Sequence, residues 1–465
     1  MEFVSTRGGR GASFEDVLLG GPAPDGGLFL PRQWPEFSLH QIGELASVAY
    51  PEAAVRILSP FAKDSFTAEE LRADADAAYA GFSHRAIAPL VQLAPDLFLL
   101  ELFHGPTFAF KDLALQLMSR LFARALQRRG RSATIIAATS GDTGSAAIAA
   151  FRGQPGLQVV VLHPHGRVSE MQRRQMTTVA DSNVHNIAVE GDFDSAQSIV
   201  KQLFDDAEFR ERTNLTAVNS INLVRILAQS VYYFTAAAAL GAGQRRAVNF
   251  AVPTGNFGDV FAGEAASRMG VPMGRLIVAT NTNDILVRAL STGDYAVAGA
   301  VQTTFSPSMD IQVASNFERA LFEAVSRDAG WVQQAMSEFR NTRGMRIPEN
   351  VLRQLSGRYI AERAGEDETL SAIRSVWQAT GHIVDPHTAV GLAAHRKLRD
   401  QLNGPVVALA TAHPAKFPEA ISRAIGRGAD IPESLAQISQ RDEHYEVLPN
   451  SASAVGKFIL ERLDI

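Results

Sequence analysis

The stretch that decides the fold is Val248-Asn-Phe-Ala-Val252, which runs into Pro253-Thr-Gly255-Asn-Phe-Gly258-Asp259 and then into a helical pattern from Val260. A short apolar run that ends at a glycine-rich turn before a helix is typical of a buried parallel strand. Two further segments, residues 134–151 and 406–417, also begin with an apolar run that ends at a turn or another break. Open α/β sheets bind ligands at the carboxyl ends of their strands. We therefore expect these three turns to line a binding site.

Other short runs rich in Val, Ile and Leu predict further strands, and they alternate with helical patterns. The strand candidates are Thr134–Ala138, Val159–Leu162, Val184–Val189, Ala247–Val252, Leu276–Thr280 and Val406–Ala410. Residues 1–95 mix loops rich in Gly and Pro with predicted helices at Leu39–Tyr50 and Thr67–Phe82. Alternating strands and helices predict an α/β fold in which helices cover parallel sheets.

The turn Gly255–Asp259 has the composition of a loop that binds a phosphate. Gly255 and Gly258 let the backbone approach an anion, and the following helix points N–H groups toward it. The turn has no Lys and lacks the Gly-Lys-Ser/Thr string of nucleotide-binding loops, so we expect it to hold a phosphate without transferring it. A Gly-x-x-Gly turn between a strand and a helix also occurs in plain packing, and the motif alone does not establish a site.

Lys111 is a candidate nucleophile in addition to the candidate phosphate loop. The apolar spacing from Leu113 to Leu126 predicts a largely buried helix with Lys111 in its first turn. The partial positive charge of a helix N-terminus disfavours a second cation and favours the neutral amine, which attacks carbonyl groups. The alternative is a lysine that extends from the helix end into solvent.

Composition limits the possible functions. A chain of 465 residues, 46% hydrophobic and 20% charged, can bury a large core and form two or three domains. A net charge of -5 gives no reason to expect nucleic acid or an anionic membrane surface as a partner. The chain has no Cys, and its histidines lack the spacing of metal ligands, so we expect neither thiolate chemistry nor a metal site. Without a secretory signal or a run of ~20 apolar residues, a cytoplasmic soluble enzyme is expected.

A lysine, a phosphate loop and hydroxyl groups at strand ends together predict a phosphorylated aldehyde cofactor, of which pyridoxal 5'-phosphate is the common one. These segments resemble the threonine synthase family, specifically its bacterial and fungal branch. The resemblance begins at Val4-Ser-Thr-Arg7, Phe14-Glu-Asp-Val-Leu-Leu19 and Asp25-Gly-Gly-Leu-Phe29 and extends to Thr411–Phe417. Several motifs in the right order over most of the chain make the match specific.

The resemblance implies a fold-type II pyridoxal-phosphate enzyme, similar to the β subunit of tryptophan synthase. Two parallel sheets flanked by helices are expected, together with a mostly helical N-terminal domain of residues 1–95. A large cofactor-binding domain would comprise residues 96–130 and 246–465. A small mobile domain would comprise residues 131–245.

The resemblance also assigns residues to the cofactor. Lys111 corresponds to the Schiff-base lysine, which also moves protons at the α and β carbons of the substrate. The residues that correspond to the cofactor-phosphate loop are Gly255, Asn256, Phe257, Gly258 and Asp259. Thr411 corresponds to the residue that faces the pyridine nitrogen, where a hydroxyl keeps that nitrogen protonated less firmly than a carboxylate would. The structural alternative is that Thr411 only ends its strand.

Three of these assignments carry their own alternatives. Phe257 can simply pack, and the Asp259 carboxylate, which a phosphate repels, is expected to cap the helix. Asp142 lies in Ser140-Gly141-Asp142-Thr143-Gly144, where many fold-type II enzymes have Asn next to the 3-oxygen of the cofactor. An ionised carboxylate beside a phenolate is unfavourable. We therefore expect Asp142 to be protonated, bridged by a hydrogen-bond donor, or turned away.

The same resemblance implies a separate site for a phosphate on the substrate. The residues that correspond to it are Thr143, Ser220, Asn222 and Arg225. Arg225 supplies a bidentate cationic donor, which suits a dianion that becomes the leaving group. Taken alone, Arg225 would be read as an ordinary salt-bridged or surface residue.

The implied reaction converts O-phospho-L-homoserine and water into L-threonine and phosphate by γ-elimination and β-replacement, in a monomer or homodimer. A phospholyase of the same fold, which releases a 2-oxo acid, ammonia and phosphate, would use every motif named above. A nicotinamide-dependent oxidoreductase is less compatible, because Gly141–Gly144 is not Gly-x-Gly-x-x-Gly and Lys111 would have no function. A binding protein without activity would be expected to lack Lys111 or Arg225, and both are present.

Overall fold

The computed structural model describes residues 1–139, 141–216 and 219–463. Its helices are α1 (Phe14–Gly20), α2 (Leu39–Glu44), α3 (Tyr50–Ala62), α4 (Ala68–Tyr79), α5 (Lys111–Arg128), α6 (Asp142–Phe151), α7 (Glu170–Thr177), α8 (Phe193–Asp205), α9 (Ala207–Thr213), α10 (Leu223–Ala239), α11 (Gly258–Arg268), α12 (Ile285–Thr292), α13 (Phe317–Ala324), α14 (Ala329–Thr342), α15 (Glu349–Ser356), α16 (Glu366–Thr380), α17 (Pro386–Leu398), α18 (Pro418–Ile425), α19 (Glu433–Ile438) and α20 (Ala452–Leu463). Its strands are β1 (Phe3–Ser5), β2 (Phe29–Pro31), β3 (Leu90–Ala94), β4 (Leu97–Glu101), β5 (Ala133–Ala138), β6 (Leu157–Pro164), β7 (Val184–Val189), β8 (Leu215–Thr216), β9 (Val248–Pro253), β10 (Met273–Thr280), β11 (Asp294–Ala296), β12 (Gly344–Arg346), β13 (Tyr359–Arg363), β14 (Val406–Ala410) and β15 (Glu446–Leu448).

The predicted strands are confirmed, and one predicted helix is wrong. β7 and β14 have the predicted bounds, and the other four predicted strands differ from β5, β6, β9 and β10 by a few residues at their ends. The helix predicted over Leu39–Tyr50 instead forms α2, a 3-10 turn at Leu45–Ser47 and the start of α3. Ala49 is extended and Pro51 lies in the first turn of α3. A proline at that position has no N–H to continue a preceding helix and clashes with the carbonyl four residues earlier.

Contacts divide the chain into two compact units. Unit 1 comprises Met1–Val17, Pro22–Phe110 and Ser220–Asp430, and unit 2 comprises Leu18–Gly21, Lys111–Asn219 and Ile431–Ile465.

This division differs from the domain boundaries predicted at residues 95, 130 and 245. α5 groups with α6 in unit 2, whereas α10 groups with α11 in unit 1. The last strand, β15, pairs with β7 of unit 2. Of residues 1–95, all except Leu18–Gly21 belong to unit 1, and β3 pairs with β4 in the main sheet of that unit.

Unit 1 contains a six-stranded sheet in the order β13-β10-β9-β14-β4-β3. All neighbours in it are parallel except β3 and β4. Every residue of β9 and of β14 is buried, as expected for central parallel strands with helices on both faces. A core cluster that includes Ala251, Ile277, Val390 and Ala408 packs strands β9, β10 and β14 against α17. Because β9 and β14 are neighbours, the turns after them lie at the same edge of the sheet.

Unit 2 contains a parallel sheet in the order β15-β7-β6-β5-β8. Its core cluster includes Ile136, Val160, Ile187 and Leu203, which join β5, β6 and β7 to α8. No helix in the described part of the chain is both long and apolar enough to cross a membrane.

Candidate functional site

The loop between β9 and α11 needs its glycine at position 255. A Cβ built on Gly255 would lie 2.6 Å from the carbonyl oxygen of Ser308, so the backbone of residues 306–309 passes directly against the loop. Phe257 has a left-handed backbone, with φ of 64°, which costs a non-glycine residue about 1–3 kcal/mol. Its ring is buried between Phe317 and Tyr359, each 5.2 Å away between ring centroids. The structure thus gives Phe257 the packing role that the sequence left open.

Asp259 does not cap α11, and that expectation is corrected. It lies within the helix, which begins at Gly258 after Phe257. The carboxylate instead accepts hydrogen bonds from the buried hydroxyls of Tyr232 and Tyr233 on α10. The Tyr233 hydroxyl also donates to the Asp259 carbonyl oxygen, at 2.9 Å. These bonds tie the first turn of α11 to α10.

Thr411 follows β14 directly and is 5% exposed. Its carbonyl oxygen accepts a hydrogen bond of 2.8 Å from the Phe110 N–H, and the His413 N–H donates to the Phe108 carbonyl at 3.0 Å. The Nδ1 atom of His413 accepts from the Ala415 N–H, and burial lowers the pKa of His413 to about 4. His413 is therefore neutral at pH 7 and shapes the turn. Within unit 1, the segment that ends at Phe110 is paired with the Thr411 turn.

Lys111 is the first residue of α5 and is 6% exposed, which confirms its predicted place in the first turn of a buried helix. Its Nζ atom lies 3.7 Å from the Asp142 carboxylate in unit 2. That carboxylate also accepts a hydrogen bond of 3.0 Å from Nε2 of Gln172. Of the three expectations for Asp142, the second matches this geometry, in which a hydrogen-bond donor bridges to the carboxylate. Gly141 permits it, because a Cβ there would lie 2.4 Å from the Gln172 side chain.

The turn after β5 is held by Thr139. Its Oγ1 atom accepts hydrogen bonds from the N–H groups of Gly141 and Gly144, at 3.0 and 2.9 Å. Thr143, a candidate for the substrate phosphate, is half-buried in the first turn of α6. Ser140, which is part of the same motif, lies outside the described residues.

The segment before α10 brings the other substrate candidates together in unit 1. Asn222 is the N-cap of α10 and accepts a hydrogen bond from the Val224 N–H. Arg225 lies in the first turn and is 3% exposed. Its Nε and Nη1 atoms are buried without a hydrogen-bond partner among the described residues. Burial lowers the pKa of Arg225 to about 10, and Tyr232 and Asp259 oppose that shift, so the guanidinium is charged at pH 7. A buried cation with unpaired donors is strongly unfavourable and is suited to receive an anion.

Family comparisons agree with this geometry. A family described as pyridoxal-phosphate dependent enzyme matches residues 84–412, and those described as threonine synthase N terminus and threonine synthase, C-terminal match residues 2–79 and 388–459. The threonine synthase of Pseudomonas aeruginosa is 46% identical over 461 residues, which cover 99% of this chain and 98% of that protein. The chain belongs to the threonine synthase family. The predicted fold class, fold-type II, is thereby confirmed.

Two solved structures of threonine synthases are similar over their whole length. The threonine synthase of Brucella melitensis with bound pyridoxal phosphate has a TM-score of 0.96 and 48% identity, and 99% of each chain is covered. The yeast threonine synthase has a TM-score of 0.94 and 36% identity, and the match covers 100% of this chain and 99% of that one. As a member of the threonine synthase family, this chain is a pyridoxal-phosphate-dependent enzyme.

The described residues fit that cofactor in each unit taken by itself. In unit 1, the loop that begins at Gly255 leads into the N-terminus of α11, where backbone N–H groups favour a phosphate. The Thr411 turn lies at the same edge of the sheet. In unit 2, Lys111 is buried next to an acceptor carboxylate, which favours a single position for its amino group.

Some residues in the threonine synthase candidate site carry no recognisable sequence signal. Gln172 is 30 positions from Asp142, and Tyr232 and Tyr233 are 27 and 26 positions from Asp259. Each pair forms only when helices pack. Asn316, which contacts Arg319, differs from these residues. It stands just before α13, a position that an N-cap signal in the sequence could have indicated.

Proposed function

We propose that this chain converts O-phospho-L-homoserine and water into L-threonine and inorganic phosphate. The observation that carries the proposal is Arg225 in the first turn of α10, a buried guanidinium whose Nε and Nη1 atoms have no hydrogen-bond partner among the described residues. Such a group suits a phosphate dianion, and the loop Gly255–Asp259 in the same unit offers a second, separate anion position. A substrate phosphate and a cofactor phosphate would then each have a site. Membership of the threonine synthase family supports the same reaction.

The cofactor supplies an aldehyde that links covalently to amino groups and a ring that stabilises negative charge on the carbon next to the substrate nitrogen. We assign the proton transfers to Lys111. Its Nζ atom would remove a proton from the α carbon and then one from the adjacent β carbon, which one flexible side chain can reach in turn. Asp142, oriented by Gln172, would hold that amino group in position between the transfers.

Arg225 would bind the phosphate of the substrate and stabilise its negative charge as the bond between the γ carbon and oxygen breaks. We assign Thr143, Ser220 and Asn222 to the same phosphate. Protons then return to the γ and α carbons, and a water molecule adds its oxygen to the β carbon, which gives threonine. Water must stay away from the reacting carbons until phosphate has left, because earlier hydrolysis would give a 2-oxo acid.

The cofactor contacts are proposed residue by residue. Backbone groups of Gly255, Asn256, Phe257, Gly258 and Asp259 would hold the cofactor phosphate. Phe257 contributes by packing, and Asp259 contributes through its Oδ1 atom, which accepts hydrogen bonds from two tyrosines of α10. Thr411 would donate or accept a hydrogen bond at the ring nitrogen. The domain boundaries predicted from the resemblance, with a small mobile domain of residues 131–245, remain a proposal.

The alternative is a phospholyase that releases ammonia, phosphate and a 2-oxo acid from a phosphorylated amino acid. The test is incubation of the purified protein with O-phospho-L-homoserine, with phosphate, threonine and 2-oxobutyrate measured in the same sample. Equal amounts of threonine and phosphate support the synthase. Phosphate with 2-oxobutyrate favours the phospholyase, and no phosphate from protein that holds the cofactor refutes the substrate.

We also propose that the enzyme works in the cytoplasm, as a monomer or homodimer, on a small-molecule substrate without nucleic acid or membrane partners. Mass measurement by light scattering after size exclusion distinguishes the two oligomeric states. A larger assembly would contradict both.

A further inference from the structure

Asn316 connects the two candidate phosphate sites of unit 1. It lies just before α13 and is 0% exposed. Its Nδ2 atom donates to the carbonyl oxygens of Ser220 and Asn256, each at 3.1 Å. Its backbone N–H also donates to the Asn256 carbonyl, at 3.1 Å. Ser220 belongs to the proposed substrate-phosphate segment and Asn256 to the proposed cofactor-phosphate loop, so one side chain joins both.

Arg319 fixes the orientation of this amide. Its guanidinium donates to Oδ1 of Asn316, to the Ile221 carbonyl at 2.7 Å and to the Phe29 carbonyl at 3.1 Å. A guanidinium can only donate and the two carbonyls on the other side can only accept. The amide of Asn316 therefore has one placement that satisfies all of its neighbours.

The burial of Arg319 makes this arrangement costly to form. Arg319 is 0% exposed, and burial lowers its pKa to about 9. Among the described residues, the hydrogen bonds of its side chain go to neutral acceptors only. A buried cation on neutral partners recovers less of its desolvation free energy than a paired one does. The hydrogen bonds of Arg319 offset part of this free energy, because they satisfy two buried carbonyls and orient the Asn316 amide.

α10 follows the segment that contains Ser220, and α11 follows the loop that contains Asn256. Hydrogen bonds also join these two helices directly. α10 carries Arg225 and is bonded to α11 by the Tyr233 hydroxyl, which lies 3.0 Å from the Asp259 carboxylate. A Cβ on Gly258, the first residue of α11, would lie 3.3 Å from the Asn316 Nδ2 atom. Asn316 therefore joins the segments just before the two helices, and Tyr233, nearly three turns into α10, binds the first turn of α11. These contacts fix the separation of the two candidate anion sites.

We propose that Asn316 is a positioning residue that fixes the spacing between the cofactor phosphate and the substrate phosphate and thereby couples their binding. This inference rests on the proposed function, because it takes the loop Gly255–Asp259 and Arg225 as the two phosphate sites. Because the Asn316 amide donates to both segments, its disturbance is expected to weaken both sites.

The test uses Asn316→Asp in the holoenzyme. Aspartate keeps the shape and the acceptor for Arg319 but cannot donate to Ser220 or Asn256. Loss of two buried hydrogen bonds predicts about a ten-fold higher Kd for inorganic phosphate and about ten-fold faster release of the cofactor. The phosphate Kd is measured by calorimetry, and cofactor release by absorbance in the presence of a trap.

A matched control comes from Asn249 at the start of β9. Its Nδ2 atom also donates to two carbonyls, those of Asn403 and Pro405, and its Oδ1 atom accepts from the Arg275 N–H. Asn249→Asp makes the same chemical change in the same unit, at the opposite edge of the sheet from the phosphate loop. It is expected to lower the melting temperature while both ligand measurements stay within about two-fold of wild type.

The inference is overturned if Asn316→Asp lowers the melting temperature as Asn249→Asp does and leaves both ligand measurements unchanged. It is also overturned if only one of the two changes, because coupling requires both. If the charged variants do not fold, Asn316→Ala and Asn249→Ala give the same comparison without an added charge. Failure of the proposed function is seen separately, as a wild-type enzyme that makes no threonine from O-phospho-L-homoserine.

Discussion

Replacement of Arg225 by methionine is expected to make the resting enzyme more stable and almost inactive. Arg225 is 3% exposed, and two of its nitrogens are buried without a partner among the described residues. Methionine has a similar length and no charge to desolvate. Removal of a buried cation in favour of an apolar side chain is often neutral or stabilising.

The magnitude follows from the pKa. The fall in the pKa of Arg225 to about 10, which burial causes, corresponds to about 3 kcal/mol that opposes the charged form in the folded protein. Since methionine also loses some packing, we expect the free energy of unfolding to rise by about 1–3 kcal/mol. Loss of charge-assisted hydrogen bonds to the substrate phosphate is expected to lower kcat/KM at least about 100-fold.

The assay is urea unfolding of the holoenzyme in buffer free of phosphate, sulfate and substrate, together with steady-state kinetics. Arg319→Met is the matched control, because Arg319 is equally buried but fully hydrogen-bonded. Its loss leaves buried carbonyls without donors, at about 1–3 kcal/mol for each group, so that variant should be less stable than wild type. If Arg225→Met is destabilised in the same way, Arg225 is a structural cation and the argument for a phosphate site at α10 is refuted.

Three further predictions concern Lys111, Gly255 and Glu443, whose carboxylate lies 2.8 Å from the Arg173 guanidinium. Lys111→Ala is expected to abolish threonine formation and the visible absorbance of the lysine-bound cofactor, because the amino group that forms that bond is removed. Gly255→Ala should raise the Kd of the cofactor at least about ten-fold, since the added Cβ would lie 2.6 Å from the Ser308 carbonyl and must displace the loop. Glu443→Gln should lower the unfolding free energy at pH 7 by about 1 kcal/mol, and the difference should vanish toward pH 2. Hydrogen bonds and charge, chiefly from Arg173, hold the pKa of Glu443 at about 2 in the folded protein. The stabilisation is therefore full above about pH 5 and is lost as the pH falls.

Each of these predictions has a control and a contradicting result. Lys201→Ala, at an exposed lysine, should leave absorbance and activity intact, and retained activity in Lys111→Ala would remove Lys111 from the mechanism. Gly20→Ala should be neutral, because a Cβ there meets nothing within 4 Å, whereas unchanged cofactor affinity in Gly255→Ala would contradict the phosphate loop. Thermal unfolding at each pH measures the third difference. If the unfolding free energies of wild type and Glu443→Gln differ by a constant amount from pH 7 to pH 2, the charge of Glu443 does not stabilise the protein.

The strands that support the candidate site could be predicted because their pattern is local. β9 and β14 are buried along their whole length, so their sequences are nearly continuous apolar runs that stop where the chain reaches the edge of the sheet. The same reasoning placed Lys111 in the first turn of a buried helix. The loop Gly255–Asp259 remains a prediction as a phosphate site, and its Gly255 packs closely against the backbone of Ser308.

The partners of the site residues could not be predicted because they depend on packing between distant segments. Asn316 is 96 residues from Ser220 and 60 from Asn256, and no spacing rule links them. Asp259 was expected to act as a helix cap from its position near a helix start, yet tyrosines from α10 bind it. The assignment of α5 and residues 431–465 to unit 2 also depends on contacts, which the order of elements along the chain does not reveal.

The most direct test of the central claim is the reaction of the holoenzyme with O-phospho-L-homoserine in water labelled with oxygen-18, followed by mass spectrometry of both products. Elimination breaks the bond between carbon and oxygen, and water then adds to the β carbon. We therefore predict one labelled oxygen in the hydroxyl group of threonine and none in the phosphate. Labelled phosphate would instead mean hydrolysis at phosphorus, and unlabelled threonine or 2-oxobutyrate in its place would contradict the proposed synthase reaction.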